Sequence, residues 1–84
     1  MESKALYRTR DIFVAAWLHS NGEPVELEPS ANESSKFWFV FNESPAVRGL
    51  VDDFARGVGL VSPLSLKNSV DYLKDMMEGS KRNG

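Results

Sequence analysis

The feature of this sequence that most constrains the fold is a run near its middle, Lys36-Phe37-Trp38-Phe39-Val40-Phe41. Its aromatic and β-branched residues predict a strand, in which successive side chains point to opposite faces. The three phenylalanines then share one face, and Trp38 and Val40 share the other. Because both faces are apolar, a single covering layer is not enough. Either the helices of the same chain, the first of them with Trp17, or another chain must cover Trp38 and Val40.

Capping signals on both sides of this run predict three helices. Ser or Thr followed by Pro or Asp is typical of helix starts, and Asn-Gly or a lone Gly is typical of helix ends. The predicted helices begin near Thr9, Ser44 and Ser62 and end near Asn21-Gly22, Gly57 and Gly79. In the first helix, Asp11 lies in the first turn, where it favours capping.

Alternation from Pro24 to Pro29 predicts a second strand beside the aromatic one. We therefore expect a small α+β domain of order α-β-β-α-α, in which an antiparallel β-ribbon packs with three helices. Two further extended pieces, Ala5 to Arg8 and Gly59 to Val61, are candidate short strands.

The length and composition predict one domain. A chain of 84 residues is enough for one core and too short for two domains. Hydrophobic residues make up 42% and charged residues 26%, near the averages for globular proteins. We expect a single domain over residues 5–79, with residues 1–4 and 80–84 as flexible ends.

Charge and cysteine content bear on the compartment. The net charge of −2 gives no strong overall attraction to nucleic acid. The sequence has no cysteine, which favours a reducing compartment for a domain this small. The N-terminus is charged, and the longest apolar run, Ile12 to Leu18, is far shorter than the roughly 20 residues that span a bilayer. These features predict a cytoplasmic protein with no membrane contact.

The residues offer little to catalysis or to a cofactor. His19 is the one histidine, and no nucleophile pairs with it in the sequence. One His and no Cys are too few for a typical metal site. Gly57-Val58-Gly59 followed by Ser62 resembles part of a dinucleotide-binding loop, but that loop must follow a strand, and here it follows a predicted helix. We expect no enzyme activity, catalytic residue, metal or cofactor; whether free amides at the start of the third helix hold an anion stays open.

Protein association is the leading functional hypothesis. Exposed Trp and Tyr are enriched at interface centres, and open strand edges favour pairing with another chain. Trp38 and Val40 lie on the second apolar face of the strand, and Tyr72 and Met76 widen the apolar stripe of the third helix. We therefore expect a non-enzymatic interaction module that forms a homodimer or binds another protein through these four residues.

Single-stranded nucleic-acid binding is the alternative. A strand with a lysine and an outward aromatic can offer a stacking platform for bases. The candidate contacts are Arg8, Arg10, Lys36 and Trp38. Against this reading, the RNA-binding consensus of alternating basic, glycine and aromatic residues does not fit the strand.

Several of these residues also follow the pattern of a known family. Thr9-x-Asp11-Ile12-Phe13-x-Ala15-Ala16-Trp17-Leu18, continuing to Gly22, resembles the opening of an uncharacterised family of small bacterial domains of unknown function. Phe39-Val40-Phe41 and Phe54-x-x-Gly57 with Val61 resemble its later part, so the similarity extends from about Tyr7 to Met77. The resemblance implies one complete bacterial domain and supplies no activity or catalytic residue.

Overall fold

The computed structural model describes residues 5–30 and 36–83. Its elements are β1 (Leu6–Thr9), α1 (Ile12–Ser20), β2 (Glu26–Pro29), β3 (Phe37–Asn42), α2 (Pro45–Arg56) and α3 (Pro63–Asn83). The chain is thus a small α+β domain of order β-α-β-β-α-α, as the predicted fold class requires. Within the described ranges, no helix has both the length and the apolar character needed to pass through a membrane. The predicted flexible end at residues 1–4 lies outside the described residues.

The three strands form one antiparallel sheet in the order β1-β3-β2. The predicted ribbon of β2 and β3 is confirmed, and the candidate strand near the N-terminus is also real, so β3 lies in the centre with a strand on each side. Residues 59–61, the other candidate strand, belong to no strand. The strand at Glu26 begins later than its pattern predicts, since only Glu26–Pro29 pairs with β3.

The core lies between one face of the sheet and the helices. Ala15, Ala16, Trp17 and Leu18 of α1 are all buried, as the apolar run predicts. They pack in one cluster with the phenylalanines of β3 and with residues from α2 and α3; the fully buried members outside α1 are Phe39, Phe41, Val47 and Leu73. Because α1 contacts β1, α2 and α3, it is the central element of the domain.

The caps of α2 and α3 follow the sequence closely. Ser44 accepts a hydrogen bond from the Val47 backbone N–H, and Gly57 ends α2 in the left-handed conformation with φ 70°. Ser62 accepts a hydrogen bond from the Ser65 backbone N–H at 3.0 Å and so caps α3. The sequence predicts these caps correctly because each cap forms its hydrogen bonds within one turn of the helix.

Two predicted helix boundaries are wrong. The N-cap of α1 is Asp11, whose carboxylate accepts from the backbone N–H groups of Phe13 and Val14. Thr9 instead belongs to β1, and its hydroxyl accepts from the Asp11 N–H. At the other end of the chain, α3 does not end at Gly79 but continues to Asn83. A glycine inside a helix costs only about 1 kcal/mol, so it weakens a helix without ending it.

Candidate functional site

The register of β3 divides the sheet into two faces. The inner face, with Phe39 and Phe41, packs against the helices. Trp38 and Val40 point to the opposite side, which we call the outer face. Strand pairing gives it these further members: Leu6 and Arg8 on β1 with Arg10 just after it, Glu26 and Glu28 on β2, Asn42 at the end of β3, and Lys36 just before β3. The outer face combines an aromatic ring with several charges of both signs, so it is the candidate site.

Arginines cover Trp38 and Val40. Arg8 lies opposite Val40 on one side of β3, and Glu28 lies opposite Trp38 on the other side. The Arg8 Nε nevertheless donates to Glu28 Oε1 at 2.7 Å, so the arginine side chain must cross over β3. Val40 is only 8% exposed as a result. Long arginine stems can cover apolar surface in this way while the charge stays in water.

A second arginine contacts the indole itself. The Arg10 Cζ lies 4.5 Å from the centroid of the Trp38 ring, a cation–π arrangement. Its Nη2 also donates to the hydroxyl of Ser30, 3.1 Å away, just beyond the end of β2. Trp38 therefore stays half-buried on the outer face, with a guanidinium against its ring.

Trp17 does not cover this face. Its indole N–H donates to the backbone carbonyl of Leu50 at 3.0 Å, and its ring packs beside Phe54 in the helical layer. The expectation that a helix with Trp17 covers Trp38 is thus wrong, because the helices lie against the inner face. The three helices do not sandwich the sheet.

The Arg8–Glu28 pair shapes the face more than it stabilises the fold. The hydrogen bond to Glu28, and then the negative charge of Glu28, raise the pKa of Arg8 above its ordinary value. Both side chains are 45% exposed, and exposed ion pairs are screened by water and contribute little to stability. The pair fixes where the charges lie and adds little free energy.

One end of the outer face holds a shallow cavity of about 100 Å³. It is lined by Leu6, Pro24, Glu26, Val40, Phe41 and Asn42. Within the described part of the chain, the Glu26 carboxylate has no ion-pair partner. The cavity is large enough for water or the tip of a side chain, and too small for a nucleotide or similar cofactor.

The four residues predicted as an interface do not form one surface. Trp38 and Val40 lie on the outer face, whereas Tyr72 and Met76 lie on α3 in the helical layer. The Tyr72 ring is 48% exposed and stacks on the His19 ring with centroids 4.8 Å apart. Met76 packs against the core cluster. By contrast, the four nucleic-acid candidates Arg8, Arg10, Lys36 and Trp38 all belong to the outer face.

The fold gives His19 a partner that sequence reasoning missed. Ser69 Oγ lies 2.9 Å from His19 Nδ1, although the residues are fifty positions apart and no local pattern links them. Ser69 is only 5% exposed, and no carboxylate of the described chain hydrogen-bonds the imidazole to orient it. The pair joins α1 to α3 and lacks the access that a nucleophile needs. Among the described residues, no three His, Asp or Glu side chains come together as a metal site.

The glycines near the start of α3 have structural explanations. Gly57 caps α2, and Gly59 has φ 105° and lies so close to Trp17 that a Cβ would be 2.8 Å from its ring. The Ser65 N–H already donates to Ser62. Whether an anion binds at this helix start stays an open question.

Comparison with known proteins gives one match. The model of a family described as "Domain of unknown function (DUF5659)" matches residues 4–78, nearly the whole chain. The comparisons with curated proteins and with solved structures find no match.

Proposed function

The chain belongs to the DUF5659 family of domains of unknown function, and we propose that it is a non-enzymatic protein-interaction module that binds its partner through the outer face of the sheet. The observation that carries the proposal is the position of Trp38. The indole lies on the central strand, toward one end of a sheet face that no helix of the described chain covers, with the Arg10 guanidinium against it. Trp and Arg are the residues most enriched at interface hot spots, which cluster near interface centres.

The size of the effect can be worked from the indole. A tryptophan offers 150–250 Å² of surface, and because Trp38 is already partly buried, about a quarter of it remains for a partner on this face. Covering about 50 Å² at about 25 cal/mol per Å² contributes about 1.3 kcal/mol, or about tenfold in affinity. Because Trp38 is outside the core cluster, its loss should affect folding much less.

The test compares Trp38→Ser with Tyr72→Ser, which removes an exposed aromatic from the helical layer instead. Association is measured by light scattering of the protein alone and by retention of binding proteins on the immobilised domain. Urea denaturation reports the stability of each variant. We expect Trp38→Ser to weaken association about tenfold while the domain stays folded, and Tyr72→Ser to leave association intact. Loss of association with Tyr72→Ser alone, or unfolding of Trp38→Ser without loss of association, would contradict the proposal.

Binding of single-stranded nucleic acid is the second candidate. It is favoured by one observation: Arg8, Arg10, Lys36 and Trp38 share a face, as a stacking platform needs. Glu28 weighs against it, because its carboxylate already pairs with Arg8 and would repel phosphates nearby. Titration of a labelled oligonucleotide at low and moderate salt decides between the two. Absence of binding at low salt would end this candidate.

We also propose that the domain acts in the bacterial cytoplasm. The support is the lack of cysteine, which suits a reducing compartment. Fractionation of cells that produce the protein, followed by immunodetection, tests this proposal. Recovery in a membrane or secreted fraction would overturn it.

A further inference from the structure

The outer face carries its charges in rows of opposite sign. Beside β1 lie Arg8 and Arg10, on β2 lie Glu26 and Glu28, and the apolar side chains of β3 run between them. The rows are level with each other, since Arg8 and Glu26 both lie opposite Val40. By strand position, the basic residues thus begin at one edge of the face and the acidic residues at the other, although the Arg8 side chain crosses β3 to Glu28.

We infer that the partner of the outer face is a second copy of this chain, related by a two-fold axis parallel to β3; the inference rests on the proposed function. A half-turn about this axis places β1 of each copy over β2 of the other. The backbone of Arg8 then lies opposite Glu26 of the partner subunit, and the Arg8 side chain reaches that carboxylate by exchanging its pair with Glu28 for it. Trp38 meets its counterpart on the axis. A two-fold interface must be self-complementary, and a face with rows of opposite sign about an apolar centre satisfies this condition.

The pairing fits the groups that each chain leaves unused. Glu26 has no ion-pair partner within the described part of its own chain. Arg8 directs its Nε to Glu28 at 2.7 Å, and its Nη2 lies at 3.4 Å from the same carboxylate. This pair is exposed and contributes little stability, so Arg8 can exchange it for a carboxylate of the partner. Sheets pack face to face about 10 Å apart, a gap that an arginine and a glutamate span when they extend toward each other.

The small area makes this dimer a reversible one. Three strands about 4.8 Å apart and six residues of about 3.3 Å each define a face of about 14 by 20 Å. The area of such a face is well below the roughly 800 Å² per partner of a standard stable interface, so the fraction of dimer should depend on the protein concentration. Lys36 lies just before β3, in line with Trp38, so the axis places it opposite Lys36 of the partner subunit. Replacing this lysine with alanine removes the repulsion between the two positive charges and should strengthen the dimer. For nucleic-acid binding, the same change should weaken the complex.

Reciprocal charge reversal tests the pairing. Sedimentation equilibrium at low salt, from micromolar to millimolar protein, measures association of the wild type, Arg8→Glu and Glu26→Arg. Each variant alone places like charges together twice, and we expect it to dimerise at least about tenfold more weakly than the wild type. An equimolar mixture of the two restores both pairs, so we expect a heterodimer of near wild-type strength. The controls Lys74→Glu and Glu78→Arg, which reverse exposed charges on α3, should dimerise like the wild type.

The outcomes separate this inference from the proposed function. A wild type that stays monomeric at millimolar concentration overturns the inference, as does a mixture that associates no better than its components. If the monomeric protein still retains a binding protein in a Trp38-dependent way, the proposed function stands and only the second copy is wrong. If neither kind of association depends on Trp38, both are wrong. Circular dichroism and urea midpoints verify that each charge-reversed variant is folded, since Arg8→Glu also removes the pair with Glu28.

Discussion

Gly59→Ala tests the packing of the helical layer most sharply. Gly59 has φ 105°, a conformation that side chains with a Cβ rarely adopt. Such backbone strain costs of the order of 1–3 kcal/mol. In addition, an alanine Cβ would lie 2.8 Å from both Cη2 and Cζ2 of the Trp17 ring. The ring is held in place because its N–H donates to the Leu50 carbonyl at 3.0 Å, so it cannot move aside without losing that bond.

The two effects add. Forcing extra atoms into a packed core costs typically about 1–3 kcal/mol, so the total for Gly59→Ala is about 2–6 kcal/mol. At about 0.05–0.15 kcal/mol per residue, a chain of 84 residues has a stability of about 4–13 kcal/mol. The substitution should therefore remove a large share of the stability. With an m-value of about 1–2 kcal/mol/M, a loss of about 3 kcal/mol lowers the urea midpoint by about 2 M.

Two other glycines provide matched controls in the same urea denaturation. Gly57 has φ 70°, but no heavy atom lies within 4 Å of its added Cβ, so Gly57→Ala should cost only the backbone strain, about 1–2 kcal/mol. Gly49 lies inside α2 with open space around it, and Gly49→Ala should stabilise by about 0.5–1 kcal/mol. In a double-mutant cycle, Gly59→Ala should cost less in a Trp17→Leu background, where the indole ring is absent. If Gly59→Ala lowers the free energy of unfolding no more than Gly57→Ala does, the Trp17 ring does not oppose a Cβ at position 59.

Three further predictions concern the cap of α1, the two faces of β3 and acid sensitivity. Asp11→Ala should lower stability by about 1 kcal/mol, since two backbone N–H groups lose their acceptor; an unchanged urea midpoint would contradict this. Phe39→Ala should lower stability by about 3–5 kcal/mol and Trp38→Ala by much less, because Phe39 is 2% exposed and packs in the core; equal losses would mean that Trp38 is also core. The hydrogen bond from Lys67 and then its charge lower the pKa of Asp71, so the folded pKa lies below the unfolded one. The small contribution of the Lys67–Asp71 pair to stability is present above the pKa of Asp71 in the unfolded chain and is lost as the pH falls through its pKa in the folded chain. The difference in stability between the wild type and Asp71→Asn should therefore shrink in acid. A difference that does not change with pH would contradict this prediction.

The helix boundaries show what sequence reasoning can and cannot reach. Ser44 and Ser62 were predictable because an N-cap satisfies donors only two or three residues away. At the start of α1, both Thr9 and Asp11 are good caps, and the choice between them depends on whether Thr9 pairs with β3. It does, opposite Phe39, so Asp11 is left to cap the helix. That decision is tertiary, and no local pattern contains it.

The candidate site was predictable only in part. The alternation of β3 correctly placed Trp38 and Val40 on one face and the phenylalanines on the other. It could not show that β1 would lie on the far side of β3 from β2, because strand order depends on contacts between distant segments. For the same reason, the sequence grouped Tyr72 with Trp38, although the fold places them in different layers.

A strand that is apolar on both faces does not require a second layer of backbone. Here the cover of Val40 comes from Arg8, a residue that a sequence pattern counts as polar and solvent-exposed. The aliphatic part of the arginine replaces water over the valine, and its head is held on the far strand by Glu28. Such a cover differs from a packed helix in one functional respect. It costs little to rearrange, because an exposed ion pair is screened by water and contributes little to stability. A partner that offers its own carboxylates and an aromatic surface can therefore engage Arg8 and Trp38 without disturbing the core behind them.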